Sequence, residues 1–445
     1  MSASADAAFD LCIEASWVVP VEPRGTVLRD HKLAIRDGAI AAIVPRATPI
    51  AAASTVTLDG HVLLPGFVNA HTHAAMTLFR GLADDLPLTQ WLNEHIWPAE
   101  ARFVNGAFAH DGTALAVLEM VKGGTTCFSD MYFFPDDTAS VVTAAGLRAV
   151  LGLVVIDVPT AWARTPEEYL SRGLALCDAW RHNPLIKPLL APHAPYSVSD
   201  DTLARIRVRA DELDIGLHMH IHETAGEIEQ SLACHGLRPL ERLQRLGIVD
   251  PGLIAVHMTQ LHTAEIALCA ERGVSVVHCP ESNLKIAAGI CPVPQLLTAG
   301  VNVALGTDGA ASNNDLDMLG EMRTCALLAK GISGDPTAVP AAQALEMATL
   351  NGARALGLAD AIGSLVVGKQ ADVIAIDLSA PATQPLFDVV SQVVYAAGRD
   401  QVTHVWVGGR ALLRDRKPLT VDEQAIVGRA GAWRDKMTRD PGGTR

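Results

Sequence analysis

The chain has 445 residues, of which 49% are hydrophobic and 19% are charged, so it can bury a large core and is neither collagen-like nor low-complexity. The formal net charge of −14 argues against nucleic acid or an anionic membrane as the main partner. No segment reaches about 20 uninterrupted apolar residues, the length that spans a bilayer.

The N-terminal segment and the cysteines predict the compartment. Residues 1–19 lack the basic n-region and the apolar h-region of a secretory signal peptide. None of the eight cysteines belongs to a C-x-x-C pair, and their spacing predicts reduced thiols. We therefore expect a cytoplasmic protein.

Short strands and turns dominate from about residue 10 to residue 60. The segments "LCIEASWVV" (11–19), "KLAIRDGAIAAIV" (32–44) and "STVTLDGHVLL" (54–64) alternate in polarity or carry β-branched residues. Two Asp-Gly pairs, at 37–38 and 59–60, mark turns. This pattern predicts a small antiparallel unit.

From about residue 65 to residue 360, short apolar runs alternate with longer helix-like segments. Such alternation of buried strands and helices favours a parallel sheet, and about eight strands predict a distorted (β/α)8 barrel of the TIM type. After residue 363 the pattern returns to short strands with glycine turns, which we expect to join the first strands in a small β-sandwich side domain. The predicted domain limits are 1–63 and 363–445 for the side domain and 64–362 for the barrel.

Ionisable residues follow the predicted barrel strands, strand after strand. In a barrel, ligand-binding and catalytic groups project from the carboxyl ends of the strands, so we expect these residues to meet at one face. The residues at these strand ends are His71, His73, His193, His218, His220, His222, Glu223, His257, His278 and Asp308. We interpret His218 and His278 as buried structural histidines.

The pair His71 and His73 predicts a metal site. Residues i and i+2 of a strand point to the same face, so both imidazoles can reach one ion. His220 from a distant strand and Asp308 from the last strand complete the expected ligand set. Three imidazoles and a carboxylate suit Zn²⁺ and leave Fe²⁺ and Mn²⁺ open. Such an ion makes hydroxide available near neutral pH.

The chain resembles the amidohydrolase superfamily from about residue 10 to residue 420. One further segment, residues 78–103, resembles the branch that deaminates 5′-methylthioadenosine and S-adenosylhomocysteine. The motifs that carry the resemblance are "PGFVNAHTH" (65–73), "HIHET" (220–224), "AVH" (255–257), "HCPESNLKIAAG" (278–289), "GTDGAASNN" (306–314), "GSLVVGKQADVIAID" (363–377) and "LFRGLADDLPLTQWLNEHIWPAEARF" (78–103).

The resemblance implies a function and residue roles. It implies a zinc-dependent aminohydrolase with one divalent metal per chain, acting on a thioether nucleoside to give the inosine analogue and ammonia. Glu223 is the implied proton shuttle, and His257 with Asp308 is implied to orient or deprotonate the water. Glu100 is implied to bind the ribose hydroxyls, and His193 to approach the purine or the ribose.

Several alternatives stay open at this stage. The runner-up function is a deaminase or dechlorinase of a free heterocycle of the guanine or s-triazine type, which has no diol for Glu100 to bind. A third possibility is a non-catalytic assembly protein with the same fold, which the intact ligand set disfavours. The 5′ substituent, the metal in the cell, the oligomeric state, and any substrate contact of Arg148 or Arg164 stay open. For Lys285 we expect a structural or loop-anchoring role.

Overall fold

The computed structural model describes residues 8–87 and 90–439. Part of the N-terminal segment used for the signal-peptide prediction, and part of the segment 78–103, therefore lie outside the described residues. No helix within the described part of the chain is long and apolar enough to cross a membrane.

The described strands form two eight-stranded sheets. The strands of the barrel are β5 Phe67–Thr72, β6 Thr125–Tyr132, β7 Arg148–Val155, β8 Ile186–Pro192, β9 Leu217–Ile221, β10 Leu253–His257, β11 Ser275–His278 and β12 Asn302–Leu305. The strands of the second sheet are β1 Phe9–Val18, β2 Leu28–Arg36, β3 Ala39–Pro45, β4 Ala52–Pro65, β13 Val373–Asp377, β14 Val402–Val407, β15 Arg410–Arg414 and β16 Lys417–Pro418.

Helices separate most of the barrel strands. The α-helices are α1 Trp97–Phe103, α2 Gly106–Lys122, α3 Pro135–Ala145, α4 Pro166–Trp180, α5 Asp200–Leu213, α6 Ala225–His235, α7 Pro239–Arg245, α8 Thr263–Arg272, α9 Pro280–Lys285, α10 Val293–Thr298, α11 Met318–Ser333, α12 Ala341–Met347, α13 Leu350–Ala355, α14 Val389–Tyr395 and α15 Glu423–Arg439. Short 3₁₀-helices cover Ala74–Phe79, Pro381–Thr383 and Arg399–Gln401, and a π-helix covers Trp91–Ile96.

The barrel strands run parallel in the order β5 to β12, which confirms the predicted barrel. The backbone N–H of Asp308, just after β12, donates to the carbonyl of His71 in β5 at 3.0 Å, so the last strand returns to the first. Both faces of each strand are covered: in β7, Val150 and Val154 belong to one apolar cluster and Leu151 and Leu153 to another. Strands buried on both faces explain the nearly continuous apolar runs in the sequence.

The side domain is built from both ends of the chain, as predicted. Its strands follow the order β16-β15-β14-β13-β4-β1-β2-β3, so β13 from the C-terminal part pairs with β4 from the N-terminal part. β1 pairs with β4 in parallel, whereas the other neighbouring strands are antiparallel. The domain limits at 63/64 and 362/363 stay a prediction.

The two sheets meet at Gly66, between β4 and β5. A Cβ atom at this position would lie 2.0 Å from Oγ1 of Thr126, so only glycine fits. The N–H of Gly66 donates to the carbonyl of Asp372, and the Asp372 carboxylate accepts two bonds from Arg148 at 3.0 and 3.1 Å. Arg148 is therefore a structural residue that ties the barrel to the side sheet.

Arg148→Met is expected to destabilise the fold. The Asp372 side chain is only 2% exposed, and loss of its partner leaves a buried charge. Breaking such a pair costs about 3–5 kcal/mol in the free energy of unfolding. Urea titration measures this loss, and Arg181→Met, which removes an exposed pair with Asp178, is the matched control. Equal stability of the two variants would contradict the expectation.

Candidate active site

Three imidazoles and one carboxylate converge at the carboxyl ends of the first, fifth and eighth barrel strands. Oδ1 of Asp308 lies 3.3 Å from Nε2 of His71 and 3.3 Å from Nε2 of His73. Nε2 of His220 lies 3.2 Å from Nε2 of His71. The structure thus brings the four predicted ligands together, and their ring nitrogens and carboxylate oxygen are the donor types that Zn²⁺ prefers.

Each of the three imidazoles has its other ring nitrogen occupied. Nδ1 of His73 lies 2.6 Å from the carbonyl of Met131, and Nδ1 of His220 lies 2.9 Å from the carbonyl of His193. Nδ1 of His71 lies 2.9 Å from Nε2 of His218. These contacts orient the three Nε2 atoms toward a common point.

The loop after β12 presents Asp308 to this point. Asp308 has a φ of 61°, and a Cβ at Gly306 would come within 2.8 Å of the backbone nitrogen of His71. Oδ2 of Asp308 accepts from Ser282 at 2.6 Å and from Ser312 at 3.1 Å. Burial alone would raise the pKa of Asp308, but the hydrogen bond with His71 and the nearby imidazoles hold this pKa well below its usual range.

His257 lies beside the four residues, at the end of β10. Its nearest ring nitrogen falls within 4.8 Å of those of His71 and His220. Its Nε2 lies 3.7 Å from Oε1 of Glu223, and its Nδ1 lies 2.9 Å from the amide nitrogen of Asn283. Burial lowers the pKa of His257 to about 4, so its imidazole is neutral at pH 7.

Glu223 lies at the N-terminus of α6, where local backbone bonds fix its position. The carboxylate of Glu227 accepts the backbone N–H groups of His222 at 3.1 Å and Glu223 at 2.7 Å. The hydroxyl of Thr224 accepts from the N–H of Glu227, so Thr224 is the N-cap of α6. Burial, with a smaller contribution from the charge of Asp308, raises the pKa of Glu223 to about 8, so its carboxyl is suited to donate a proton.

A cavity leads from the cluster to the surface. Its inner part, about 120 Å³, is lined by three of the four predicted ligands (His73, His220 and Asp308) and by Glu223, His257, Glu100 and His193. Its outer part, about 740 Å³, shares Glu100, His193 and Glu223 and adds apolar side chains such as Val158. The predicted site residues other than His71 therefore line these two adjoining cavities, and His71 is fully buried behind them.

Glu100 and His193 lie in the wall of this cavity. Glu100 is in α1, and its Oε1 accepts a 2.7 Å hydrogen bond from the hydroxyl of Tyr132. Burial raises the pKa of Glu100 to about 7. Nδ1 of His193 lies 2.8 Å from the hydroxyl of Ser197, and its ring centroid lies 5.1 Å from that of His220.

Lys285 and Arg164 do not line the two cavities described above. Nζ of Lys285 lies 2.7 Å from Oδ1 of Asp84 and also contacts Asn314, so it anchors the loop at Asp84, as expected. Arg164 is exposed, and its backbone N–H donates to the carboxylate of Glu168.

Sequence reasoning missed Tyr132, Glu227 and the contact between His218 and His71. The Thr224-x-x-Glu227 spacing is a capping-box signal that could have revealed Glu227. Tyr132 ends β6 and could have been found by the same strand-end rule that found the histidines. The contact of His218 joins two distant strands, and no local pattern predicts it.

A ring of imidazoles with a carboxylate at the carboxyl end of a parallel barrel defines the class of metal-dependent hydrolases. Residues 62–412 match the Amidohydrolase family, and the chain belongs to that family. The predicted membership is thus confirmed.

Three similar proteins refine this membership. A 5-methylthioadenosine/S-adenosylhomocysteine deaminase of Teredinibacter turnerae is 48% identical over 96% of this chain and 98% of its own. The crystal structure of an adenosine deaminase from Xanthomonas campestris with bound zinc is 56% identical, has a TM-score of 0.95, and covers 96% of this chain and 98% of its own. Atrazine chlorohydrolase from Arthrobacter aurescens has a TM-score of 0.89 over 95% of this chain and 99% of its own, but at 22% identity it shows the fold alone.

Proposed function

We propose that the protein is a zinc-dependent aminohydrolase that converts 5′-methylthioadenosine, S-adenosylhomocysteine or adenosine to the inosine analogue and ammonia. The observation that carries this proposal is the cavity whose wall contains His73, His220 and Asp308 together with Glu223 and Glu100. The relatives named as deaminases of adenosine-type nucleosides support the same chemistry. The runner-up reaction on a free heterocycle has support only from the fold.

The residue roles belong to the same proposal. His71, His73, His220 and Asp308 hold one divalent ion, which supplies a water of lowered pKa when bound. Glu223 donates a proton from its carboxyl to the purine ring nitrogen next to C6. The neutral imidazole of His257, 3.7 Å from Glu223, orients the attacking water together with Asp308. His193 contacts the purine or the ribose.

Glu100 gives the proposal its substrate class. A carboxylate at the cavity wall can accept both hydroxyls of a ribose, whereas guanine and triazines have no diol to offer. A site built for such hydrogen bonds rejects compounds that lack them, because its own polar groups then stay unpaired. Cytoplasmic localisation is part of the proposal, supported by the eight free cysteines, and a homo-oligomer stays a prediction.

Ammonia release across a panel of substrates tests the function. The panel contains 5′-methylthioadenosine, S-adenosylhomocysteine, adenosine, guanine and an s-triazine, with the metal content of the same sample measured by elemental analysis. We expect turnover of the three nucleosides and one metal ion per chain. Faster turnover of guanine or the triazine would replace the proposal with its runner-up.

Glu100→Ala is expected to damage turnover of ribosyl substrates. Charge-assisted hydrogen bonds contribute about 1.5–3 kcal/mol each. Since about 1.4 kcal/mol is a factor of ten in rate, kcat/KM should fall at least about tenfold. The 2′-deoxyribosyl analogue should be a poor substrate of the native protein and nearly insensitive to the substitution.

The comparison forms a double-mutant cycle between Glu100 and the 2′-hydroxyl. Glu94→Ala removes an exposed carboxylate from the same segment and is the matched control, with kcat/KM expected to stay unchanged. Equal losses for the ribosyl and deoxyribosyl substrates would mean that Glu100 has no contact with the diol.

A further inference from the structure

The three imidazoles of the proposed metal site differ in what holds their Nδ1 atoms. His73 and His220 face backbone carbonyls, which can only accept a hydrogen bond. His71 instead faces Nε2 of His218 at 2.9 Å. His218 is fully buried in β9, and its own Nδ1 lies 3.1 Å from the hydroxyl of Ser129 in β6. A chain of three side chains thus connects the strands β5, β9 and β6.

The direction of the hydrogen bonds in this chain follows from the geometry. An imidazole that binds a metal through Nε2 needs its lone pair there, so its proton must lie on Nδ1. Nδ1–H of His71 therefore donates to Nε2 of His218. The proton of His218 then lies on its Nδ1 and is donated to the oxygen of Ser129.

We propose that His218 is a positioning residue for the metal, which fixes the Nδ1–H tautomer and the ring orientation of His71. The inference rests on the proposed metal site and goes beyond its ligands. Partners of ligand histidines are usually carboxylates, carbonyls or water, and their replacement weakens metal affinity about 10- to 100-fold. Here an imidazole takes that place, so a side-chain substitution can remove the contact, which it cannot do for His73 and His220.

Two amide substitutions separate the contact with His71 from the contact with Ser129. In His218→Gln, the longer side chain can place its oxygen where Nε2 stood, so it still accepts from His71. In His218→Asn, the shorter amide reaches only as far as Nδ1 and leaves the Nδ1–H of His71 without an acceptor. Both variants are polar and differ by one methylene group, so each serves as the control for the other.

The zinc affinity of the protein tests the proposed role of His218. The zinc-loaded native protein and both variants are titrated with a chelator of known zinc affinity, and their thermal unfolding is followed in parallel. We expect His218→Asn to bind zinc about 10- to 100-fold more weakly than the native protein. His218→Gln should stay within about threefold of the native zinc affinity.

His278→Leu provides a further control, because it removes another buried barrel imidazole at the end of β11. Its zinc affinity should equal that of the native protein. Equal affinities of the Asn and Gln variants, or an equal loss in His278→Leu, would overturn the role of His218. A native protein that holds no zinc would instead overturn the proposed function, so the two failures are distinguishable.

Discussion

Asp308→Ala is expected to lose the bound metal and the catalytic activity together. The carboxylate of Asp308 supplies the only negative charge among the four proposed ligands, and its Oδ1 lies 3.3 Å from both His71 and His73. Its removal leaves three neutral imidazoles and also takes away the group that accepts from Ser282 and Ser312. Both metal binding and the orientation of the attacking water then fail.

Elemental analysis and ammonia release measure the two losses on one sample. His71→Ala should behave in the same way, because its Nε2 lies 3.3 Å from Asp308 and 3.2 Å from Nε2 of His220. Asp415→Ala, which removes an exposed carboxylate in the side domain, should keep metal and rate. Metal-free protein that turns over substrate at the native rate would show that the cluster has no catalytic role.

The sequence predicted the barrel and the site for the same reason. A parallel strand that is buried on both faces appears in the sequence as a short apolar run. Its carboxyl end is where catalytic and ligand-binding side chains project. Each of two segments therefore predicts both a strand and the functional residues at its end. These segments are the apolar run that ends in His71 and His73, and the segment from His218 to Glu223. The position at the strand ends predicts His220 and Asp308 as ligands. The two-residue period of a strand adds that His71 and His73 point to the same face.

What the sequence could not give depends on pairing between distant segments. β1 lies between β2 and β4, and β4 pairs with β13 more than 300 residues further along the chain, an arrangement that local patterns do not encode. The register of β5 on β6 shifts between Asn69 and Thr72, an irregularity at the strand end that carries the ligands. A β-bulge changes the direction of the neighbouring side chains at an active site. The residue types of β5 do not predict this shift.

The interpretation of His218 shows the same limit. As a buried histidine on an apolar strand, it reads as a core residue, and the structure confirms its burial. Its partner His71 lies 147 residues away in the sequence. Tyr132 and Glu100 are likewise joined across two different segments, so their hydrogen bond follows only from the folded barrel.

Glu223→Gln is expected to keep the metal and lose most of the turnover. Glutamine has nearly the same size as glutamic acid and can fill the same place in the cavity wall. It cannot release a proton to a ring nitrogen, whereas burial raises the pKa of Glu223 to about 8 and keeps its carboxyl protonated at pH 7. General acid–base catalysis contributes about 10²- to 10⁴-fold in rate, so kcat should fall by that factor.

The loss should appear in kcat with zinc content unchanged, because Glu223 lies outside the proposed ligand set. Glu229→Gln makes the same change at an exposed position of α6 and should leave kcat as it is. Glu227→Gln should fall between the two, since the amide offers one acceptor where the carboxylate holds the N–H groups of both His222 and Glu223. An unchanged kcat in Glu223→Gln would remove this residue from the chemistry and leave it as a lining residue of the cavity.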